Sequence, residues 1–194
     1  MEFFETLDAR HSIRKYVEGA PVDADALSKI LEYCNAAPSA GNLQGYRVVV
    51  VRDAEQKAAV AEAAFGQTFV TSAPVLLAFV ADFATSAARY GDRAQLYAIQ
   101  DASIAATTAC YAAAALGLGT CWIGAFDDGQ MAKALGVPDG SLPVAVIAFA
   151  ALAFLRNAEI GKRLLDLTSR ATHIRPGKHA GRKSGAEINA AALD

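Results

Sequence analysis

Apolar runs alternate with amphipathic stretches along most of this 194-residue chain. Three runs are nearly continuous in apolar side chains, which is typical of strands buried on both faces. They cover residues 46–51, 74–81 and 143–152, and a shorter run at 120–123 stops before Gly124. The pattern therefore predicts four strands.

Helical periodicity fills most of the intervals between these strands. Leu27, Ile30, Leu31 and Cys34 recur at i, i+3, i+4 and i+7 after Asp23, a good N-cap residue. The predicted helices cover residues 2–9, 24–37, 54–64, 94–116 and 128–135, with Asp53 and either Asp127 or Asp128 as caps and Gly117 and Gly136 as terminators. The polar segment from Asp82 to Arg93 is predicted to be a mobile connection.

This alternation predicts a three-layer domain of the α/β or α+β class. A Rossmann dinucleotide fold would place a glycine-rich turn after the first strand, but Arg52-Asp53-Ala54-Glu55-Gln56 follows it here. Residues 1–156 form one predicted domain. Residues 157–194 no longer show this alternation and are predicted to be a C-terminal arm of the same domain.

Composition adds an expectation about assembly. Hydrophobic residues make up 54% of the chain and charged residues only 20%, and much of the apolar share is alanine. A chain of this kind can bury an additional face against a second copy, so we expect a homodimer. The net charge of −2 argues against a nucleic-acid partner.

Cysteine and histidine usage bears on compartment and metals. The three cysteines are Cys34, Cys110 and Cys121, and the three histidines are His11, His173 and His179. An odd number of cysteines without zinc-type spacing predicts a reducing compartment and no metal site. The acidic N-terminus lacks the basic region of a signal peptide, so we expect a cytoplasmic protein.

One stretch has the length of a membrane span. No charged residue occurs between Asp101 and Asp127. However, the stretch is mostly alanine and is interrupted by Gly117 and Gly119, which favours a buried helix followed by a strand. We therefore expect no membrane association.

Arg10, Ser12 and Arg14 form a candidate anion site near the start of the chain. A phosphate monoester is bound well by planar guanidinium forks together with a hydroxyl or backbone donor. The three residues occupy alternate positions and converge if the segment is extended. Taken alone, such a short motif is also typical of a solvated basic turn.

A second candidate is the loop that follows the second predicted helix. Ser39, Asn42 and Gln44 offer hydroxyl and amide groups suited to a polar heterocycle, although the loop could equally be a plain connection. Further on, Trp122 precedes Gly124, where the missing side chain would let backbone N–H groups approach a planar ring. A tryptophan buried in the core is the alternative interpretation.

In this order the motifs resemble those of the FMN-dependent nitroreductase superfamily. The resemblance is carried by Arg-His-Ser-Ile-Arg-Lys-Tyr at 10–16, Ala-Pro-Ser-Ala-Gly-Asn-Leu-Gln at 37–44, Gln100-Asp101 and Gly-Leu-Gly-Thr-Cys-Trp-Ile-Gly at 117–124. It covers residues 5–152. It implies an α+β fold with a central, mainly antiparallel sheet flanked by helices. It also implies an intertwined homodimer with FMN at the subunit interface.

The resemblance implies a set of cofactor-binding residues. One subunit would contribute Arg10, His11, Ser12 and Arg14, and the other Pro38, Ser39, Ala40 and Asn42. Gln100 or Asp101 would lie near the flavin. Trp122, Ile123, Gly124 and Ala125 would line the ring, with a backbone N–H of Gly124 or Ala125 near flavin N5. Arg182 and Lys183 are the candidates for a C-terminal phosphate contact, although Ser184-Gly185 follows them instead of the family's Pro-Leu.

The resemblance also implies the chemistry. NAD(P)H would reduce the flavin at N5 and a nitroaromatic or quinone-type acceptor would then reoxidise it, in a ping-pong sequence without a side-chain general base. Substrate choice would depend on residues 82–93, including Phe83, Arg89 and Tyr90, whose short length predicts an open site.

Other functions remain open at this point. The same flavin fold could perform dehalogenation, enone reduction or flavin cleavage, or the protein could bind flavin without turnover. A plain structural dimer, in which Arg10 and Arg14 form surface ion pairs, would bind no flavin at all.

Overall fold

The computed structural model describes residues 1–17 and 19–151. The predicted arm at 157–194, with Arg182 and Lys183, lies outside this part. The helices are α1 (Phe3–Ala9), α2 (Ala24–Asn35), α3 (Ala54–Ala63), α4 (Thr68–Ser72), α5 (Phe83–Tyr90), α6 (Ala94–Ala115) and α7 (Asp128–Leu135). The strands are β1 (Tyr46–Val51), β2 (Val75–Asp82), β3 (Leu118–Ile123) and β4 (Ser141–Ala151).

The four described strands form one sheet in the order β1-β2-β4-β3. Every neighbouring pair is antiparallel: Tyr46 lies opposite Ala81, Val75 opposite Phe149, and Thr120 opposite the same Phe149. The predicted antiparallel central sheet is therefore confirmed. β1 and β3 lie at its two edges.

Helices cover both faces of the sheet. Alternate residues of β2 point to opposite faces, so Phe79 packs toward α2 and α6 while Leu76 packs toward α3, α4 and α7. Every residue of β2 is buried, in agreement with its continuous apolar run. The expected three-layer α+β architecture is confirmed.

A face of small side chains on α6 allows this long helix to pack closely against the sheet. Its fully buried alanines are Ala98, Ala102, Ala105, Ala106, Ala109 and Ala113. The helix ends before Gly117, which has a φ of 76°, and β3 begins at the next residue. The uncharged stretch is thus a buried helix followed by a strand, as predicted. Within the described residues, no helix combines the length and apolar character needed to cross a membrane.

The prediction for residues 82–93 is wrong in its secondary structure. This segment contains α5 and a 3₁₀ turn at Gly91–Arg93 rather than a mobile connection. Asp82 caps α5, because its carboxylate accepts from the backbone N–H of Thr85 at 3.3 Å and from the Thr85 hydroxyl at 3.1 Å. Asp82 is a helix-start signal of the kind that identified Asp23 and Asp53.

Three further differences concern β1, α2 and α4. β1 is an edge strand, so Arg47, Val49 and Val50 are only partly buried and the expected burial of both faces is not observed. α2 ends at Asn35, two residues earlier than predicted. The five-residue helix α4 carries no periodic signal of its own and was not predicted.

Asp82 also joins β1 to β2 through an ion pair. Its carboxylate accepts from Arg47 Nε at 3.1 Å and Nη2 at 3.0 Å. Burial alone would raise the pKa of Asp82, but the hydrogen bonds from Arg47 and Thr85 outweigh it and hold the pKa below its ordinary value of 3.8.

We predict that the stability contributed by Asp82 depends on acid pH. Because the folded-state pKa is depressed, this contribution is complete above about pH 5 and is lost as the pH falls below the ordinary value and through the folded one. Urea midpoints of the wild type and Asp82→Asn should differ by a constant amount at neutral pH and converge toward pH 3. A difference that persists unchanged at pH 3 would contradict this account.

Candidate functional site

The opening basic motif lies in an extended segment along β3. The backbone N–H of Ile13 donates to the carbonyl of Thr120 at 2.8 Å, and Ser12 forms a parallel bridge with the same residue. The contacts of the two arginines differ: the charge of Arg10 acts on Cys110 of α6, whereas Arg14 lies over Phe69 of α4. Arg10, Ser12 and Arg14 thus lie beside β3 within residues 10–14.

The two arginines of this segment are available to a ligand. Neither forms an ion pair with a carboxylate of the described residues. Arg14 lies over the ring of Phe69, with its guanidinium carbon 5.7 Å from the ring centroid. This cation–π contact orients the side chain without neutralising its charge. Two uncompensated guanidinium groups on one segment suit a phosphate dianion.

The three cysteines are neutral thiols at neutral pH. Burial raises the pKa of Cys110 to about 11, although a hydrogen bond with Thr120 and the charge of Arg10 act in the opposite direction. Burial likewise raises the pKa of Cys121, and that of Cys34 to about 12. Since the thiolate is the nucleophilic form, none of the three is suited to nucleophilic catalysis at neutral pH.

Trp122 on β3 and the following residues Gly124 and Ala125 are exposed at the edge of the sheet. Trp122 is 38% exposed, so it is not the core tryptophan of the alternative interpretation. A Cβ at Gly124 would lie 3.2 Å from the indole Nε1, which explains why a glycine suits this position. The carbonyl of the exposed Ala125 accepts from Gln67 Nε2 at 3.4 Å.

The loop from Pro38 to Gly45 is held in one conformation by its own hydrogen bonds. The hydroxyl of Ser39 accepts from the backbone N–H of Gln44 at 3.0 Å, and Gln44 Nε2 donates to Asn42 Oδ1 at 3.1 Å. Asn42 and Gln44 have positive φ angles of 58° and 48°. These left-handed conformations are sparsely populated by residues other than glycine, so the surrounding contacts must compensate for them.

Asp101 on α6 anchors this loop from below. Asp101 is 2% exposed, and its carboxylate accepts from the backbone N–H of Ala40 at 2.8 Å and of Gly45 at 3.3 Å. Asp101 is thus a positioning residue that acts through the loop, whereas the neighbouring Gln100 is exposed. The sequence prediction singled out both residues without separating these roles.

Helix α5 closes over the other side of the loop. A Cβ at Gly41 would collide with the hydroxyl of Tyr90, and a Cβ at Gly45 with the hydroxyl of Ser86. Ser86 is fully buried, and its hydroxyl has no hydrogen-bond partner among the described residues. The sequence prediction missed Ser86 and this contact of Tyr90, although the two glycines of the loop were a signal of close approach.

The structure separates the predicted site residues into two groups. Arg10, Ser12 and Arg14 lie with Trp122 along β3, whereas the loop before Tyr46 leads into the opposite edge strand. Tyr46 on β1 and Thr120 on β3 are separated by three strand spacings across the sheet, about 14 Å. Along the strands they are six residues apart, since Tyr46 is in register with Ala81 and Thr120 with Val75, which adds about 20 Å. Within the chain the backbone of Tyr46 therefore lies about 24 Å from that of Thr120, beside which the opening segment runs.

An open cleft of about 720 Å³ lies elsewhere, between α3 and α7. It is lined by Asp53, Glu55, Gln56, Ala59, Glu62, Gln130, Lys133 and Ala134. No described residue of the predicted site lines it.

We predict that Asp101→Asn destabilises the protein by about 1–3 kcal/mol, because the amide NH₂ would face one of the two buried backbone N–H groups. Gln100→Ala, on the exposed side of the same helix, is the matched control and should change the free energy of unfolding by less than about 0.5 kcal/mol. Urea denaturation measures both. Equal losses in the two variants would contradict the anchoring role.

Comparison with known proteins adds independent support for the fold. The model of the nitroreductase family matches residues 7–72 and 64–151. The solved structure of the hypothetical oxidoreductase YcnD from Bacillus subtilis superposes with a TM-score of 0.72 at 33% identity, covering 79% of this chain and 67% of that one.

Two curated relatives are similar over shorter stretches. An FMN reductase (NAD(P)H) of Bacillus subtilis is 38% identical over 136 residues, which is 64% of this chain and 54% of the relative. A NADH dehydrogenase of Thermus thermophilus is 53% identical over 73 residues, or 38% of this chain and 35% of the relative. The chain therefore spans about half or less of the length of these relatives. Because the family model matches most of the chain, the protein belongs to the nitroreductase family.

Proposed function

We propose that this protein is an NAD(P)H-dependent FMN oxidoreductase that reduces nitroaromatic or quinone-type acceptors. The single observation that carries the proposal is the segment beside β3. It presents a hydroxyl and two guanidinium groups, which no carboxylate of the described residues neutralises, next to an exposed tryptophan. The names of the relatives, FMN reductase and NADH dehydrogenase, agree with this chemistry.

The described residues fit FMN by the chemistry of their donors. Arg10, Ser12 and Arg14 supply the charge and hydroxyl groups that a phosphate monoester requires. Trp122 and Gly124 supply an exposed surface with accessible backbone groups for a planar ring. His11 and Ile123 flank these positions in the chain. When bound, FMN supplies hydride acceptance from NAD(P)H and hydride donation to the acceptor.

The loop that contains Ser39, Ala40 and Asn42 completes the site from a second subunit in this proposal. Its support is the separation of the two residue groups across and along the sheet. A symmetric dimer, in which each loop faces the segment of the other subunit, would form two equivalent sites. Asp101 would hold the loop in position without contacting the flavin.

A positive charge from Arg14 near the flavin would favour its reduced, anionic form. A backbone N–H of Gly124 or Ala125 would orient the ring at N5. In this proposal no side chain transfers a proton, since water can supply it. Arg182 and Lys183 remain candidates for a further phosphate contact.

The decisive experiment is an anaerobic absorption spectrum of the protein with FMN, before and after addition of NADH or NADPH. We expect bound flavin that bleaches and then recovers its absorbance when a nitroaromatic or quinone is added. Bound flavin that resists reduction would favour a non-catalytic flavoprotein. Absence of flavin binding would refute the proposal, and reoxidation only by halogenated or enone substrates would redirect it.

We predict that Arg10→Ala weakens FMN binding about tenfold to a hundredfold, because a charge-assisted phosphate contact is lost. Lys133→Ala removes an equal charge on α7, beside the cleft between α3 and α7, and is the matched control. Fluorescence titration of the apoprotein with FMN measures both affinities. An unchanged affinity in Arg10→Ala would exclude the assigned phosphate site.

Mixed dimers test the shared site. Homodimers of Arg10→Ala and of Asn42→Ala each contain two damaged sites, whereas a mixed dimer contains one intact site and one doubly damaged site. We therefore predict that co-expression of differently tagged subunits yields mixed dimers that bind one FMN with wild-type affinity. Mixed dimers as weak as the two parents would show that both residues act within one subunit.

A further inference from the structure

Two arginines and two tyrosines form a connected surface cluster at the C-terminal end of α5 and the start of α6. Arg89 lies over the ring of Tyr90 at 5.7 Å, and Arg93 lies over the ring of Tyr97 at 5.0 Å. The two tyrosine rings meet edge to face, with centroids 4.8 Å apart. We call these four side chains the Arg–Tyr cluster.

The cluster carries charge that the described protein does not neutralise. Neither Arg89 nor Arg93 forms an ion pair with a carboxylate of residues 1–17 or 19–151, although Asp92 lies between them in the sequence, and both arginines are exposed. Arg93 donates only its Nε hydrogen to the hydroxyl of Tyr97, at 2.8 Å. Its terminal N–H groups have no hydrogen-bond partner in the described part of the chain and can bind a ligand oxygen.

The tyrosines hold these guanidinium groups in place before any ligand arrives. A free arginine loses considerable rotamer freedom when it binds, and a stacked one loses less. The short 3₁₀ turn at Gly91–Arg93 brings the end of α5 onto the start of α6 and so unites the two stacked pairs. The arrangement is therefore a preorganised pair of cationic forks.

The cluster borders the loop assigned above to the flavin site. A Cβ at Gly41 would collide with the hydroxyl of Tyr90 and would lie 3.0 Å from Nη1 of Arg89, so both side chains lie against this glycine. A ligand on this loop therefore has Arg89 beside it, and Arg93 is connected to the same position through the contact of Tyr97 with Tyr90. This position suits the part of an electron donor that lies away from the reacting ring.

We propose that the Arg–Tyr cluster binds the 2′-phosphate of NADPH and makes the protein prefer NADPH to NADH. This inference rests on the proposed function and names its electron donor. The 2′-phosphate is a monoester dianion with three acceptor oxygens, whereas each phosphate of the pyrophosphate bridge carries a single charge. Two guanidinium forks therefore match the monoester better, and only NADPH carries it.

Nucleotide fragments test the cluster without turnover. We would titrate the FMN-loaded protein with adenosine 2′,5′-bisphosphate and, separately, with 5′-AMP, and measure the dissociation constants by calorimetry. The variants are Arg89→Gln and Arg93→Gln, with Arg93→Lys keeping the charge but not the planar fork. Lys133→Gln on the opposite layer removes one charge far from the cluster and is the control.

We expect the wild type to bind the bisphosphate more tightly than 5′-AMP. Each glutamine variant should weaken bisphosphate binding about tenfold or more, as expected for a charge-assisted hydrogen bond, with little change for 5′-AMP. Arg93→Lys should fall between, and Lys133→Gln should match the wild type. The ratio of kcat/KM for NADPH to that for NADH should fall in parallel.

Three results would overturn the inference. They are equal binding of the two fragments by the wild type, an equal loss for both fragments in the variants, or a loss in Lys133→Gln as large as in Arg93→Gln. The FMN content of each preparation is measured first. A wild type that binds and reduces FMN but fails these tests refutes the cluster alone, whereas failure to bind FMN refutes the proposed function.

Discussion

The close packing of α6 on the sheet is the constraint on which the candidate site depends. Its alanine face leaves no room for larger side chains, so the helix has one position relative to β2 and β4. From this position Asp101 holds the loop that leads into β1, and Cys110, nine residues or about 13 Å further on, hydrogen-bonds to Thr120 beside the opening segment. One rigid helix thus sets the locations of both groups of site residues.

Polar groups in this structure serve mainly to hold backbone in place. The carboxyl groups of Asp101 and Asp82 are buried and bind backbone N–H groups, whereas Arg10, Arg14, Arg89 and Arg93 keep their charges without carboxylate partners in the described residues. The buried carboxylates therefore fix the backbone, and the guanidinium groups can bind anionic ligands. This division suits the flavin and nicotinamide phosphates of the proposed function.

Much of the fold could be predicted because its local signals agree with one another. The apolar runs identify the four described strands. The sequence indicates Asp23 and Asp53 as caps, either Asp127 or Asp128 as a third, which the structure assigns to Asp127, and Gly117 and Gly136 as terminators. The segment 82–93 was predicted incorrectly because its polar composition outweighed the cap at Asp82. Among the site residues, the alternation of Arg10, Ser12 and Arg14 was visible in the sequence. The contacts of Ser86 and Tyr90 were not, since they join residues about 45 positions apart.

By itself, the sequence determined the order and type of most elements, the chemical character of the two motifs, and the family resemblance that the comparisons confirm. These depend on local periodicity, capping and short motifs, which involve residues close together in the sequence. Only the tertiary structure decided that the motifs lie far apart within one subunit, that Asp101 acts beneath the loop, and that two Arg–Tyr pairs unite beside Gly41. These features depend on strand order and on the angle between helices, which arise from packing over long sequence distances.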